Sequence, residues 1–300
     1  MTVFIRLLVN ILEEGLIYGI MAMGVYVTYS VLHFPDLSVD GTFPLGACLT
    51  ALLIPLGVPP VIVLFAAFAA GAAAGSITAF LHVKLKISDL LSGILTMTAM
   101  WSINLVILGG RAVSPFYNKP TVFNQGLVSL FPKNIYPRRV LIIAALIAIV
   151  IKIIMDSYYK TKSGLLLRSA GDNAQFVSSL GINPGKVKTL GLMIGNGLTA
   201  LSGSVLAQQA ESANVQSGTG MVVMGLAAVI IGTSIFGGVR FMKSTTMVLL
   251  GSIIYKAALV AAMQIGIPTN YLKLIMAILF VLSLMLGKSL DRRRGNARAI

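Results

Sequence analysis

The chain has 300 residues, 57% apolar and only 11% charged, with a net charge of +14 and a mean hydropathy of +0.91. A soluble domain carries about 25% charged residues, so this composition excludes a soluble fold with a solvated surface and places the chain among polytopic membrane proteins. The basic residues stand in short connections between apolar runs, a pattern of membrane orientation and not of nucleic-acid binding, and a single cysteine, Cys48, excludes a disulfide within the chain.

Nine runs approach the roughly 20 apolar residues a span needs: 7–32, 42–57, 59–82, 89–109, 138–156, 188–209, 219–239, 245–265 and 271–287. They predict an all-α polytopic fold with about nine transmembrane helices in a single membrane domain, 1–300. The first run, in "MTVFIRLLVNILEEGLIYG", carries Glu13 and Glu14 where a cleavable signal is continuously apolar, so a retained first helix is expected. Each carboxylate would cost about 2.5–3.5 kcal/mol at the bilayer centre if glutamate follows the aspartate scale. That cost places the pair near an interface or against protein.

Before the short second run come Asp36, Ser38 and Asp40, beside Pro35, Gly41 and Pro44. The combination fits a broken helix of the kind that lines transporter sites, and equally a plain loop with aspartate caps. "PLGVPP" marks a tight turn before the third run. The fourth run holds Thr96, Thr98, Trp101 and Asn104; the sixth holds Asn196, Thr199, Ser202, Gln208, Gln209 and Glu211. Serine and threonine commonly tie helices together, whereas an unpaired buried amide is costlier. The pathway candidates are therefore Asp36, Ser38, Asp40, Thr96, Thr98, Asn104 and Asn196. Gly15/Gly19, Gly71/Gly75 and Gly191/Gly195 have the spacing for close helix packing. Between the fourth and fifth runs, residues 110–137 form a long loop with Phe116, Tyr117, Phe123, Phe131 and Tyr136. These aromatics fit an interfacial belt or a surface that meets an extracytoplasmic partner.

Placing residues 157–188 in the cytoplasm puts 14 basic residues on that side: Lys84, Lys86, Lys160, Lys162, Arg168, Lys186, Lys188, Arg240, Lys243, Lys288, Arg292, Arg293, Arg294 and Arg298. The other side receives Arg6, Arg111, Lys119, Lys133, Arg138 and Arg139, and Lys152, Lys256 and Lys273 fall within spans. The bias places the C-terminus inside and, with nine spans, the N-terminus outside.

The polar island "TKSGLLLRSAGDNAQFVSSLGINPGKVK", Thr161 to Lys188, interrupts this oily chain. Within it "GDNAQFVSSLG" predicts one short helix. Asp172 caps it, Gln175 completes a capping box, and Gly181 ends it in the left-handed conformation. Phe176, Val177 and Leu180 share one face. Asn183 and Pro184 then start the next helix. Such a helix either lies on the membrane surface or is offered, already ordered, to a groove on a cytoplasmic protein.

The island resembles the coupling segment of ABC importer permeases of the branched-chain amino acid and ribose type. Thr161, Gly164, Arg168, Gly171, Gly181 and Ile182 match that family's pattern. Asp36, Leu37, Ser38 and Val39 in "PDLSVDGTFPLGA" match a second family stretch, with the glycine displaced by one to Gly41. In "GTGMVVMGLAAVIIGTSIFGG", Gly232, Thr233, Ser234, Gly237 and Gly238 match a third, with Ile231 replacing a glycine and Ile235 a leucine. The "FPDLSVDGTFPLGA" form looks most like permeases that work beside tryptophan- or tyrosine-type binding proteins.

The resemblance implies a multi-pass subunit of the bacterial inner membrane, paired with a second permease copy. Its partners would be two cytoplasmic ATP-binding subunits, which carry the ATP and magnesium, and an extracytoplasmic substrate-binding protein. The chain would bind no cofactor itself. Arg168, Gly171, Asp172, Gln175, Phe176, Val177, Leu180 and Gly181 would then serve ATPase coupling. The cargo would be a small polar solute: an amino acid, possibly aromatic, or else a sugar or nucleoside. "GKS" at 287–289 echoes a phosphate-binding loop, but Leu282 stands where its first glycine belongs. A stand-alone secondary transporter needs no docking helix. A membrane enzyme needs a polar catalytic cluster, and His33 and His82 lack metal-ligand spacing.

Overall fold

The computed structural model describes residues 2–126, 128, 132, 136–239, 241–264, 268 and 271–298. Phe131, Lys133, Arg240 and the side chains from Lys288 onward lie outside the described part. Helix α1 (Thr2–Val25) runs without a break into a π-helical turn, Tyr26–Val31. Then follow α2 (Val39–Leu53), α3 (Pro60–Ala79), α4 (Asp89–Ile107), α5 (Arg139–Tyr158), α6 (Lys162–Asp172), α7 (Ala174–Ser179), α8 (Pro184–Ala210), α9 (Met221–Phe236), α10 (Ser244–Gln264) and α11 (Leu272–Arg298).

Among the described residues, 7 helical segments are long and apolar enough to cross a membrane: Phe4–Val31, Pro60–Lys84, Asp89–Ile107, Tyr136–Tyr158, Pro184–Ala210, Val215–Phe236 and Ser244–Gln264. Where the second and ninth spans were expected stand two shorter apolar helices, Val39–Leu53 and Leu272–Met285. The 15 residues of α2 reach about 22 Å, short of an apolar core of about 30 Å. Its start lies deep in the bundle, beside Asn196, which stands about 18 Å along α8 from Pro184.

Helix α8 forms the axis of the bundle, with α1, α2 and α3 packed around it; α9, α10 and α11 form a second group joined through α1. The contacts on α8 are backbone-close. A Cβ at Gly46 of α2 would come within 1.8 Å of the Ala200 carbonyl oxygen, and one at Gly71 of α3 within 2.4 Å of the Asn196 carbonyl oxygen. Only glycine permits that approach, as expected for small-residue packing between membrane helices. Pro44 sits inside α2 and has no N–H for the Asp40 carbonyl. Gly218 closes on that freed carbonyl, where a Cβ would come within 1.9 Å.

Alternation of the helices puts α6, α7 and the connection 32–38 at one end. The opposite end is covered by the connection after α4. There β1 (Val113–Pro115) pairs antiparallel with β2 (Ser212–Asn214), Ser114 opposite Ala213. The Gln208 side chain accepts from the Val122 N–H at 3.0 Å and donates to the Pro60 carbonyl at 3.3 Å. Glu211, left-handed at φ 49°, accepts from the Asn118 N–H at 3.2 Å. These bonds fold the connection inward, so Phe116 and Phe123 enter the core while Tyr117 and Tyr136 stay exposed. The aromatics therefore do not form one belt.

Candidate functional site

Ahead of α8 the island forms two helices, α6 and α7, and only α7 lies where the one short helix was expected. Thr161 caps α6: its hydroxyl accepts from the Gly164 N–H at 3.2 Å and donates to the Tyr158 carbonyl at 2.7 Å. Helix α6 runs through Asp172, so Asp172 is already helical and cannot cap the next helix. Asn173, extended at φ −151° and ψ 93°, takes that place and accepts from the Phe176 N–H at 3.0 Å. The expected capping box of Asp172 and Gln175 is thus replaced by a single Asn173 cap, and Gln175 is exposed. The C-terminal expectation holds. Gly181 is left-handed at φ 75°. Its N–H reaches the Ser178 carbonyl at 3.0 Å, and the Ile182 N–H reaches the Val177 carbonyl at 3.3 Å, the paired bonds of a Schellman ending. Asn183 caps α8 through the Gly185 N–H at 2.8 Å.

The three apolar residues of α7 do not stay together. Val177 is fully buried, whereas Phe176 is 51% exposed and Leu180 53% exposed. One turn apart, Phe176 and Leu180 form the outward ridge, and Val177 anchors the helix to the bundle.

Helix α6 fastens that ridge to the membrane part. A Cβ at Gly171 would lie 1.9 Å from the Val31 carbonyl oxygen, so α6 rests directly on the end of the α1 column. A Cβ at Gly191 of α8 would meet both Leu32 and Leu167 within 2.8 Å; those side chains wedge α6 against α8. Arg168 places its guanidinium 4.8 Å from the Tyr159 ring centre, and burial pushes the Tyr159 hydroxyl pKa up, which keeps that ring neutral under the cation. Asp172 meets the His33 imidazole at 3.4 Å in an exposed pair, which contributes little.

From Leu32 the chain climbs to the polar residues expected to line a pathway, and there it makes a sealed network. Asp36 accepts from the Ser38 N–H at 2.9 Å, the Ser38 hydroxyl at 2.6 Å and the Asn196 amide at 2.7 Å. The Asn196 carbonyl oxygen accepts from Thr42 at 2.8 Å and faces the Ser38 hydroxyl at 3.0 Å. Asp36, Ser38, Thr42 and Asn196 are all buried. Every carboxylate oxygen has a donor, which is what a buried charge requires, and the group ties α2 to α8. Thr42, missing from the sequence reading, lies one turn after Ser38 and was findable on that spacing.

The remaining candidates separate. Asp40 caps α9, accepting from the Gly220 N–H at 2.9 Å and the Val222 N–H at 2.8 Å. Thr96 accepts from Thr78 of α3 at 2.9 Å, a helix tie. Thr98 bonds the Ile94 carbonyl of its own helix at 2.8 Å and stays on the exposed face of α4. Asn104 donates to the Gly41 carbonyl at 3.0 Å, and its own carbonyl oxygen is buried with no hydrogen-bond partner among the described residues. Two clusters of ion pairs, one around Asp156 and one at Glu14, escaped the sequence reading. Asp156 receives Lys152 at 3.0 Å, Lys243 at 3.1 Å and the Thr245 hydroxyl at 2.5 Å. Glu14 pairs with Lys256, so it does face protein.

Residues 7–284 match the family model of the branched-chain amino acid transport system, permease component. The chain belongs to this permease family. The permease is 40% identical over 294 residues to a tyrosine transport system permease protein of Clostridioides difficile, covering 98% of this chain and 96% of that one. It is 24% identical over 283 residues to a ribose import permease protein of Escherichia coli, covering 93% and 84%. A solved complex, PsaBC from Streptococcus pneumoniae bound to a Fab, shares the fold: TM-score 0.53 at 16% identity, covering 91% of the permease and 89% of that chain. The permease is therefore a multi-pass membrane component of a transport system.

Proposed function

We propose that the permease is the membrane subunit of an ATP-driven importer that carries an amino acid, with tyrosine or a similar aromatic as cargo. The relative at 40% identity, a tyrosine transport system permease, supports that cargo; the ribose permeases at lower identity support a sugar as the second reading. In this reading the chain crosses the bacterial plasma membrane nine times as one unit, with its N-terminus outside and α6, α7 and the C-terminus inside. The charge bias of its connections supports this orientation. A second permease copy, two cytoplasmic ATPase subunits carrying ATP and magnesium, and an external binding protein complete the assembly.

One observation carries the reading. Helix α7, fixed at both ends, holds Phe176 and Leu180 out to solvent while Val177 anchors it. A preordered apolar ridge docks into a partner's groove with little ordering cost. Displacement of α7 would pass through α6 to the end of α1 at Gly171 and Val31, and through Leu32 to Asp36. From there it reaches the tie between α2 and α8. In this mechanism Arg168 and Asp172 position α6 and do not touch the partner, and the buried Asp36, Ser38 and Asn196 act as the moving joint of the pathway instead of its lining. Thr98, on the exposed face of α4, is the candidate left to line it.

The test is copurification of the ATPase with Leu180→Asp. The substitution puts a charge on the ridge without touching the core, so partner yield falls about tenfold or more for a lost contact near 1.4 kcal/mol, while permease yield is unchanged. Partner recovery at the wild-type level contradicts the docking role.

A further inference from the structure

A long groove runs along the apolar outer face of the bundle, apart from the α7 ridge and the polar network. It encloses about 810 Å³. One wall is a stripe along α5 from Ile143 to Tyr158, and the other is α3 at Leu64 and Phe68. Ile194, Leu198 and Leu201 of α8 form the floor, and Thr121 and Gln125 close the far end. The α5 stripe is about 22 Å long, more than the roughly 15 Å depth of one leaflet, half of the apolar core.

We propose that this groove holds the acyl chains of an anionic phospholipid from the leaflet that faces α6. Two observations select this occupant. First, the described lining residues on α3, α5 and α8 include no glycine, alanine or serine. Packing of another membrane helix favours small residues that let backbones approach, as the permease does at Gly46 and Gly71. Large branched and aromatic side chains around a long cleft suit flexible hydrocarbon instead. Second, the open end at Tyr158 is basic. Tyr158 bonds Ser163 at 3.1 Å, which brings the start of α6 over the mouth. Lys160 and Lys162 flank that turn, exposed and without an ion pair among the described residues. The nearest carboxylate in sequence, Asp156, is already taken by Lys152 and Lys243. A phosphate headgroup at the mouth would touch the first turn of α6, so lipid charge would bear on the coupling segment.

The test uses the full chain in nanodiscs of phosphatidylcholine mixed with phosphatidylglycerol, released and weighed by native mass spectrometry. Wild type retains phosphatidylglycerol in preference to phosphatidylcholine. Lys160→Gln and Lys162→Gln each reduce that preference about fivefold, the value of one basic residue near an anionic surface. Both positions are on the surface, so these variants fold. Ile147→Trp, which fills the cleft, lowers retention of both lipids. Equal retention of the two lipids by wild type overturns the proposal, as does an unchanged preference when Lys160→Gln and Lys162→Gln are combined. So does efficient cross-linking between two copies through Val150→Cys in a Cys48→Ala background, since a second copy would then occupy the groove.

Discussion

Exchanging the two halves of the buried tie tests whether it is a designed joint. With Asp36→Asn, the side-chain oxygen keeps both Ser38 bonds, but an NH2 group then faces the Asn196 amide where a carboxylate oxygen now accepts at 2.7 Å. Flipping the amide only moves the clash to the Ser38 N–H. A bond to a charged group contributes about 1.5–3 kcal/mol, and a buried donor left unmade costs a further 1–3 kcal/mol or so. Asn196 keeps its bond to the Leu192 carbonyl at 3.1 Å, so the loss should be about 3 kcal/mol. Asn196→Asp alone sets two carboxylates against each other and costs at least as much. The double exchange restores donor to acceptor, and Thr42 and Ser38 still find an oxygen at 196. The bond to the Leu192 carbonyl is lost and a carboxylate oxygen comes to face it, a cost of about 1–3 kcal/mol. The two single losses, about 3 kcal/mol each, together exceed that of the double, so the coupling energy should favour the double variant by about 3 kcal/mol or more. At roughly 2–4 °C per kcal/mol, thermal unfolding of the purified permease should show each single variant several degrees below wild type and the exchange recovering part of the difference. A double variant no more stable than the worse single refutes the tie.

Two further perturbations follow from the same structure. Gly171→Val would drive a side chain into the Val31 carbonyl, 1.9 Å from the new Cβ; it should leave ATPase copurification intact and lower ATP-driven uptake at least tenfold, so equal loss of both would mean that α6 merely unfolds. Asp156→Asn removes the partner of Lys152 and of Lys243, the latter 53% exposed, so after solvent screening the cost should be about 1 kcal/mol, and the gap in melting temperature from wild type should narrow in high salt.

Hydropathy made the seven span-length helices legible because each announces itself locally, whereas the second and ninth expected spans stand as shorter apolar helices. Caps were nearly as legible: Asn183 and Gly181 act as their residue types dictate. The errors have physical causes. Asp172 and Asn173 are both good caps, and which one serves depends on how far α6 extends, a question decided by Gly171 seating on Val31 and not by local propensity. Val177 turned inward because a six-residue helix between two fixed ends must anchor somewhere. Asp36 and Asn196 were identified as costly polar residues, but their partnership spans 160 positions and leaves no periodic trace, so a tie was indistinguishable from a pathway. Asp40 likewise owes its role to Gly220 and Val222, at the start of α9, which tertiary packing brings to it from 180 and 182 positions along the chain.

Reconstitution of the purified permease in liposomes tests the central claim most directly. Alone, the chain should neither hydrolyse ATP nor concentrate tyrosine. With the ATPase it should support hydrolysis, and with the external binding protein added it should accumulate tyrosine only when ATP is supplied. Accumulation by the permease alone, driven by a proton or sodium gradient, would contradict the account and make it a secondary transporter.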